Sequence, residues 1–211
     1  MSDRVELEAL DLAALLCSRV CHDIISPVGA IINGLEVLDE DNSEEMRQFA
    51  FDLIRRSAGQ ASAKLQFARL AFGAAGSTGA EIDLGDAEKV ATGYMEGEKA
   101  QFSWQAPRVL MAKNRVKLLL NLLMIAGQAI PRGGVLTVDP SGEGPTAGFR
   151  VTATGINARV PPTQALFNGT SEHQTIDAHT IQPYYASLLA KECGLSISLG
   201  AEGEAIVVAA K

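Results

Sequence analysis

His22 stands in an apolar, helix-forming stretch of the chain and is followed directly by a carboxylate, Asp23. A neutral imidazole, with an ordinary pKa of about 6.5, has a nucleophilic nitrogen at neutral pH, and the phosphorylated ring remains a good leaving group. These two properties suit a histidine that accepts a phosphoryl group and passes it on. An isolated surface histidine usually has no function, however, so the residues around His22 decide between the two interpretations.

The helix that carries His22 is indicated by apolar residues that alternate in steps of four and three: Leu10, Ala14, Cys17, Cys21, Ile24, Val28, Ile31, Leu35 and Leu38. This spacing is the a/d pattern of a heptad repeat. His22 follows the a-position Cys21, so it occupies position b and should point to solvent. Pro27 lies inside the same helix, although an interior proline costs about 3 kcal/mol and frees the carbonyl of Asp23. Such a cost indicates a function for the segment around His22.

Five residues, most of them short or polar, lie within two turns of His22 on the same helix face, and we expect a partner protein to dock on them: Ser18, Arg19, Ile25, Ser26 and Gly29. A second helix is predicted after the turn formers at 39–43, with Asn42 as its N-cap. Counting outward from the turn places Gln60 opposite His22, among small residues that leave room for an incoming helix. Lys64 offers a cation at the rim of this region, where partner contact and plain solvation are equally open.

The two helices together predict an antiparallel hairpin with more apolar surface than two helices can bury. A second copy of the hairpin would complete a four-helix bundle, so we expect a homodimer. Cys17, Cys21 and His22 lack the spacing of a haem or metal site, and both cysteines fall on the seam, which favours core packing. His173 and His179 lie in a polar stretch that is typical of a loop.

Composition limits the classes of partner. The 211-residue chain is 47% hydrophobic and 20% charged, and its net charge of −7 disfavours nucleic acid, which needs a concentrated basic face. Its longest apolar stretches, such as 116–130, are interrupted by polar residues and fall short of the roughly 20 residues of a membrane span. The acidic N-terminus lacks the features of a secretory signal. We therefore expect a cytoplasmic protein with reduced cysteines and no nucleic-acid or membrane partner.

The small-residue stretch GAAGSTGA at 73–80 is typical of a linker, so we place a helical hairpin at 1–75 and a second domain at 80–211. In the second domain the patterns predict helices and strands in mixed order. The helices are expected at 86–101, 114–130 and 180–193, and the strands at 102–104, 135–138, 149–153, 195–199 and 205–209. The second and third of these strands should form a hairpin. The predicted fold is α+β: a helical hairpin that dimerises into a four-helix bundle, followed by an α/β sandwich with helices on one face of a sheet.

The segment CHDIISPVGAI at 21–31 resembles the phospho-acceptor box of sensor histidine kinases, in which a histidine and an acidic residue precede a small polar residue, a proline and an aliphatic residue. The resemblance implies that His22 is the acceptor, that Asp23 orients it or relays a proton, and that Pro27 bends the helix. A solvated surface carboxylate is an equally open interpretation of Asp23. The resemblance further implies a dimerisation and phosphotransfer hairpin, followed by an ATP-binding domain over 80–211.

The motifs that bind nucleotide in those kinases are altered in this chain. LLLNLLMIAGQAI at 118–130 is similar to the asparagine box but has Ile125 at the position of the Mg²⁺-binding asparagine. FRVTATGINA at 149–158 is similar to the adenine-binding turn but has Ala153 for its aspartate and Asn157 for its second glycine. IQPYYASLL stands where the glycine-rich phosphate loop would be. Because these groups make charge-assisted contacts to ATP, we expect no cofactor or metal bound by this chain and no autophosphorylation.

A kinase-like dimer with an intact acceptor box and a degenerate ATP site is similar to the ChpT-type histidine phosphotransferases of bacterial cell-cycle phosphorelays. That family implies a protein-histidine phosphotransferase whose partners are the receiver domain of a hybrid histidine kinase and the receiver domains of response regulators, with Mg²⁺ held by the receiver. Two alternatives stay open: an ATP-dependent histidine kinase with diverged motifs, and an inert dimeric scaffold. Arg150 and Arg159 flank the altered adenine segment, where they are either solvated or in contact with a receiver.

Overall fold

The computed structural model describes residues 6–40, 43–73, 80–142, 144, 147–163, 167, 176–178 and 180–211. Two long helices open the chain. Helix α1 spans Ala9–Glu40 and helix α2 spans Glu44–Ala71, and they pack against each other as the predicted hairpin. Residues 74–79 of the predicted linker and the predicted loop histidines, His173 and His179, lie outside the described residues.

Helix α2 begins with a side-chain cap, but not at the predicted residue. Ser43 is the N-cap, and its hydroxyl accepts a hydrogen bond from the backbone N–H of Met46 at 3.4 Å. The helix therefore begins at Glu44, and Glu45 does not hold the third helical position that a capping box with Asn42 would require. Asn42 itself lies outside the described residues.

The two helices pack closely at Gly34, which is buried against α2. A methyl group at this position would lie 2.6 Å from Ile54 Cγ1 and 3.3 Å from the carbonyl oxygen of Ala50, so the absence of a side chain permits this close approach. Gly34 lies opposite Ala50 and Ile54, and the helices run antiparallel. Counting from this contact therefore places His22 and Lys64 at the same level along the axis of the hairpin. This is one helical turn beyond the position predicted by counting from the turn.

The second part of the chain contains a two-stranded and a five-stranded sheet. Strands β1 (Glu81–Asp83) and β3 (Leu110–Ala112) pair antiparallel, and the sequence patterns predict neither of them. The larger sheet has the order β2-β4-β5-β7-β6, in which β2 and β4 are parallel and every other pair is antiparallel. Its strands are β2 (Ala100–Trp104), β4 (Gly134–Ser141), β5 (Gly148–Thr154), β6 (Ile197–Glu202) and β7 (Ala205–Ala210). The predicted β-hairpin is confirmed as β4 and β5.

Helix α4 (Lys113–Gln128) packs on β4, β5 and β7, with α3 (Leu84–Met95) and α5 (Ile181–Glu192) beside it. Every residue from Val116 to Ala126 is buried, so α4 is the centre of the core. Helix α3 is shorter than predicted, because the chain turns after Met95 and enters β2. The predicted fold class, a helical hairpin followed by an α/β sandwich, is confirmed.

A buried group of hydrogen bonds joins the hairpin to the second domain. Asn121 is fully buried on α4 and donates from Nδ2 to the carbonyl oxygen of Ala71 at 3.2 Å and to that of Lys117 at 2.8 Å. Gln182 on α5 donates to the backbone oxygen and to Oδ1 of Asn121, at 2.8 and 3.2 Å. The end of α2 is therefore fixed to α4 and α5 through one asparagine.

Most of the predicted heptad seam of α1 is open in the single chain. Leu10 is 84% exposed, and Val28 and Leu35 are 40% and 49% exposed, whereas Pro27 is buried on the face that contacts α2. Helix α1 also has the length and composition of a membrane span, with a mean hydropathy of 1.4 over 18 residues. The longest apolar run in the sequence lies instead at 116–130, in the buried helix α4, so this property of α1 was not predicted.

Candidate functional site

His22 projects from the middle of α1 with 69% of its side chain exposed, in agreement with heptad position b. Its Nδ1 atom faces Oδ1 of Asp23 at 3.6 Å. A proton on Nδ1 would therefore point towards the carboxylate, and the opposite ring nitrogen, Nε2, is directed away from Asp23. The hydrogen-bonding partners that the two ring nitrogens face determine which of them carries the proton.

Asp23 is not a freely solvated carboxylate. Its side chain is only 21% exposed, and Oδ2 accepts a hydrogen bond from Nε of Arg19 at 3.0 Å. The two oxygens of Asp23 thus face different partners: Oδ2 is hydrogen-bonded to Arg19, and Oδ1 lies at ion-pair distance from His22. These three side chains are called the Arg19–Asp23–His22 chain below. The structure corrects the predicted place of Arg19 on the open helix face: its side chain is only 17% exposed, because it lies between α1 and the second domain.

The remaining predicted docking residues lie near His22 along α1 or across from it: Ser18, Ile25, Ser26, Gly29 and Lys64. The first three are exposed, and helical spacing places them on the side of α1 that presents His22. Gly29 and Lys64 are half-buried, and a Cβ at Gly29 would meet no atom within 4 Å. The residues of α1 around the imidazole therefore leave it accessible to a partner. The docking of a partner on this surface stays a prediction.

A cavity of about 400 Å³ lies beside Arg19, between α1 and the second domain. Tyr94 of α3 lines it together with apolar side chains of α3, α4, β4 and the segment between α4 and β4: Met95, Leu123, Met124, Leu136 and Ile130. Burial raises the pKa of Tyr94, the carboxylates of Glu98 and Asp23 raise it further, and Arg19 opposes them. Tyr94 is therefore within electrostatic reach of Asp23. Sequence reasoning missed this tyrosine, because no motif marks a single tyrosine on α3.

The positions that differ from the kinase nucleotide motifs are closed or take local structural roles. Ile125 on α4 and Ala153 on β5 are fully buried. Asn157 has a φ of 58° and is, in the part of the chain that the structure describes, the one non-glycine residue with positive φ; asparagine tolerates this left-handed conformation better than most residues. Within the same described ranges, no three His, Cys, Asp or Glu side chains lie close enough together to hold a metal ion.

Arg150, which was expected to be either solvated or in contact with a receiver, is engaged within the second domain. It forms a bidentate ion pair with Glu202 across β5 and β6, at 2.6 and 3.1 Å. Side chains alternate along β5, and its neighbour Val151 is buried towards the helices, so Arg150 lies on the opposite face of the sheet. The contacts of the hairpin are with α3, α4 and α5. Arg159 is exposed beyond the end of β5.

Comparison with known proteins assigns the chain to a family. Residues 84–205 match the family described as histidine phosphotransferase C-terminal domain. Protein phosphotransferase ChpT of Brucella abortus (strain 2308) is 55% identical over 212 residues, which cover 100% of both chains. The chain belongs to the histidine phosphotransferase family. A solved structure of a bacterial phosphotransferase is 54% identical, covers 99% of each chain and superposes with a TM-score of 0.90.

Membership of the histidine phosphotransferase family confirms the resemblance drawn from the acceptor box, and it establishes phosphotransfer in a two-component phosphorelay as the activity. The family assignment does not by itself name the residue that carries the phosphoryl group. Of the three histidines, His173 and His179 lie outside the described residues, and His22 stands in the acceptor box. The site of this histidine phosphotransferase is therefore best sought at the Arg19–Asp23–His22 chain.

Proposed function

We propose that His22 is the residue through which this histidine phosphotransferase carries the phosphoryl group. The observation that supports this most strongly is an exposed imidazole whose Nδ1 lies 3.6 Å from a carboxylate that is itself bound by an arginine. A nucleophile with an oriented partner is the arrangement that covalent group transfer requires. Asp23 is accordingly proposed as the residue that orients His22 and compensates its charge.

The transfer proceeds through Nε2. When Nδ1 carries the proton, Nε2 has a lone pair and acts as the nucleophile. A bond forms between Nε2 and phosphorus while the bond between phosphorus and the carboxylate oxygen of the donor aspartate breaks. The proton stays on Nδ1, the ring becomes positively charged, and the carboxylate of Asp23 stabilises that charge. The reverse step on a second aspartate returns His22 to its neutral form.

The proposed partners are receiver domains, one belonging to a hybrid histidine kinase as donor and others belonging to response regulators as acceptors. Phosphoryl transfer depends mostly on positioning and charge neutralisation, and the Mg²⁺ that neutralises the phosphoryl group would be held by the receiver. This chain is then proposed to bind no cofactor or metal of its own. The residues around His22 leave room for close approach and offer one apolar contact and one cation: Ser18, Ser26, Gly29, Ile25 and Lys64.

The protein is proposed to act as a homodimer in the cytoplasm. Apolar stripes follow the outer faces of both helices: Val28 and Leu35 are one heptad apart on α1, and Phe51 and Leu65, 46% and 51% exposed, are two heptads apart on α2. A second hairpin that covers both stripes would complete a four-helix bundle. The stripe on α1 also accounts for the high hydropathy of this helix, so the proposal needs neither a membrane nor a nucleic-acid partner.

Two alternatives are less well supported. An ATP-dependent kinase would need an asparagine and an aspartate at two positions that hold Ile125 and Ala153, both fully buried. An inert scaffold would leave unexplained why an exposed histidine faces a half-buried carboxylate. The two alternatives and the proposal differ in one measurable property, which is whether phosphate from a receiver or from ATP becomes attached to His22.

Transfer from a receiver carrying ³²P-labelled phosphoaspartate tests the proposal. The wild-type protein should become labelled with an acid-labile, alkali-stable phosphate, and His22→Gln should remove the label while the variant keeps its melting temperature and its mass in solution. His173→Gln and His179→Gln are the matched controls and should be labelled as the wild type is. Incubation with labelled ATP and Mg²⁺ alone should give no label. Full labelling of His22→Gln would refute His22 as the acceptor.

A further inference from the structure

Arg19 has the environment of a residue held in one orientation. Its side chain is only 17% exposed, and it lies against a cavity that is lined by apolar side chains such as Leu123 and Met124 and also by the charged side chains of Glu98 and Lys99. A cation in such surroundings is costly unless a counter-charge and hydrogen bonds compensate it. Oδ2 of Asp23, 3.0 Å from Nε, supplies both.

The ion pair constrains the carboxylate of Asp23. A carboxylate has two oxygens in a fixed plane, so a hydrogen bond that holds one oxygen also restricts where the other can point. With Oδ2 held by Arg19, Oδ1 lies 3.6 Å from Nδ1 of His22. Without Arg19 the short aspartate side chain could rotate towards solvent, and His22 would lose the group that selects the proton on Nδ1.

We propose that Arg19 is a positioning residue for phosphoryl transfer: it holds the Asp23 carboxylate against Nδ1 of His22 and so presents Nε2 as the nucleophile. The proposal rests on His22 being the acceptor. It assigns Arg19 a function different from the docking contact that the sequence predicts, because Arg19 acts from the side of α1 that faces the second domain. The second domain therefore contributes to the acceptor site, since residues of α3 and α4 line the cavity beside Arg19.

The tautomer of His22 distinguishes this function from a docking function. A neutral imidazole in water favours the tautomer with its proton on Nε2, so a majority of the Nδ1–H form in the folded protein would reflect Asp23. The nitrogen chemical shifts of ¹⁵N-labelled histidine report this ratio directly, and the signals of His22 are those lost in His22→Gln. A residue needed only for docking would leave the ratio unchanged.

Three variants test the proposal in the full chain. Arg19→Met removes the charge and the donors but keeps an apolar side chain of similar length. Arg19→Lys keeps a charged donor that can reach one oxygen of Asp23. Arg55→Met is the matched control, because Arg55 also forms an ion pair within one helix, with Asp52 at 3.2 Å, but both partners are exposed.

We expect Arg19→Met to shift His22 towards the Nε2–H tautomer and to lower the transfer rate at saturating phospho-receiver by about 10- to 100-fold, as the loss of a residue that orients a metal-bound histidine does. The receiver concentration that gives half the maximal rate should stay within about twofold. Arg19→Lys should give a tautomer ratio and a saturating rate between those of Arg19→Met and the wild type. Arg55→Met should match the wild type in the tautomer ratio, the saturating rate and the half-saturating receiver concentration.

The proposal is overturned if Arg19→Met keeps both the tautomer ratio and the saturating rate, or if it raises only the half-saturating receiver concentration, which would make Arg19 a docking residue. Should Arg19→Met fail to fold, Arg19→Lys decides: an unchanged tautomer ratio and an unchanged rate with its single shifted donor would contradict the proposal. Failure of the proposed function gives a different result, because His22→Gln would then still be labelled whatever Arg19 does.

Discussion

Truncation of Leu35 tests whether a second copy covers the open face of α1. Leu35 lies on the predicted heptad seam, near the end of the hairpin that is far from the second domain, and it is 49% exposed in the single chain. If the homodimer forms as proposed, this exposed half becomes buried against the other hairpin. Leu35→Ala removes most of that contact but leaves the helix intact, because alanine is a good helix former.

The expected loss follows from the exposed fraction. Burying a whole leucine side chain contributes about 1.5–3 kcal/mol, so the half that Leu35 exposes should contribute about 0.8–1.5 kcal/mol. A twofold dimer contains the residue twice, which doubles the loss to about 1.5–3 kcal/mol of dimerisation free energy. Since about 1.4 kcal/mol corresponds to a tenfold change in affinity, the dimer dissociation constant should rise by about 10- to 150-fold.

Sedimentation equilibrium over a wide range of protein concentrations measures this constant. Ile156→Ala is the control, because Ile156 is 75% exposed but lies in the second domain, beyond the end of β5. The control variant should dissociate at the same concentration as the wild type. A wild-type protein that sediments as a single chain, or equal dissociation constants for the wild type and Leu35→Ala, would refute the assignment of this face to a second copy.

Two further predictions concern stability. Gly34→Ala brings a methyl group 2.6 Å from Ile54 Cγ1, an overpacking that costs about 1–3 kcal/mol and outweighs a gain of about 1 kcal/mol in helix propensity. The control Gly59→Ala has only the gain in helix propensity, because a Cβ at Gly59 would meet no atom within 4 Å. In thermal melting Gly34→Ala should therefore unfold at a lower temperature than Gly59→Ala, and equal melting temperatures would contradict the packing argument. Tyr94→Phe removes a hydroxyl whose pKa burial raises above its ordinary 10.0. Above about pH 10 the unfolded chain loses this proton while the folded chain keeps it, so the free energy of unfolding falls as the pH rises. Urea unfolding should show a steeper fall for the wild type than for Tyr94→Phe, and parallel curves of unfolding free energy against pH would disprove this.

Elements that bury one continuous face could be predicted from the sequence. Helices α1, α2 and α4 and the hairpin of β4 and β5 follow from spacing, because each has enough residues for a period to be recognised. Strands β1 and β3 have three residues each, too few to display any period. Their pairing brings Ile82 next to Met111 from a distant part of the chain, and such a contact has no local signal.

The residues of the candidate site likewise include some that a local motif predicts and others that only tertiary packing brings together. His22 and Asp23 belong to a local motif, so their sequence neighbours were sufficient to single them out. Arg19 is three residues from His22 and four from Asp23, and side chains at both spacings can be in contact on a helix. Helical spacing alone therefore does not decide which of the two Arg19 contacts. The packing of the second domain against α1 decides between them, which is why the sequence places Arg19 on the wrong side of the helix. Tyr94 is brought to the same cavity by that packing alone.

The second domain differs from the kinase nucleotide motifs at Ile125, Ala153 and Asn157, and the structure indicates a physical reason for a domain of this fold beside the hairpin. Its sheet faces away from the hairpin, so the ion pair of Arg150 and Glu202 on the outer sheet face is not placed to act on His22. Its helices face the hairpin, and within the altered asparagine box Asn121 binds the end of α2. Residues of α3 and α4 line the cavity beside Arg19. If the second domain binds no ATP, as proposed, it would still be required as the wall that keeps Arg19 on Asp23, and thereby keeps the acceptor imidazole in its reactive form.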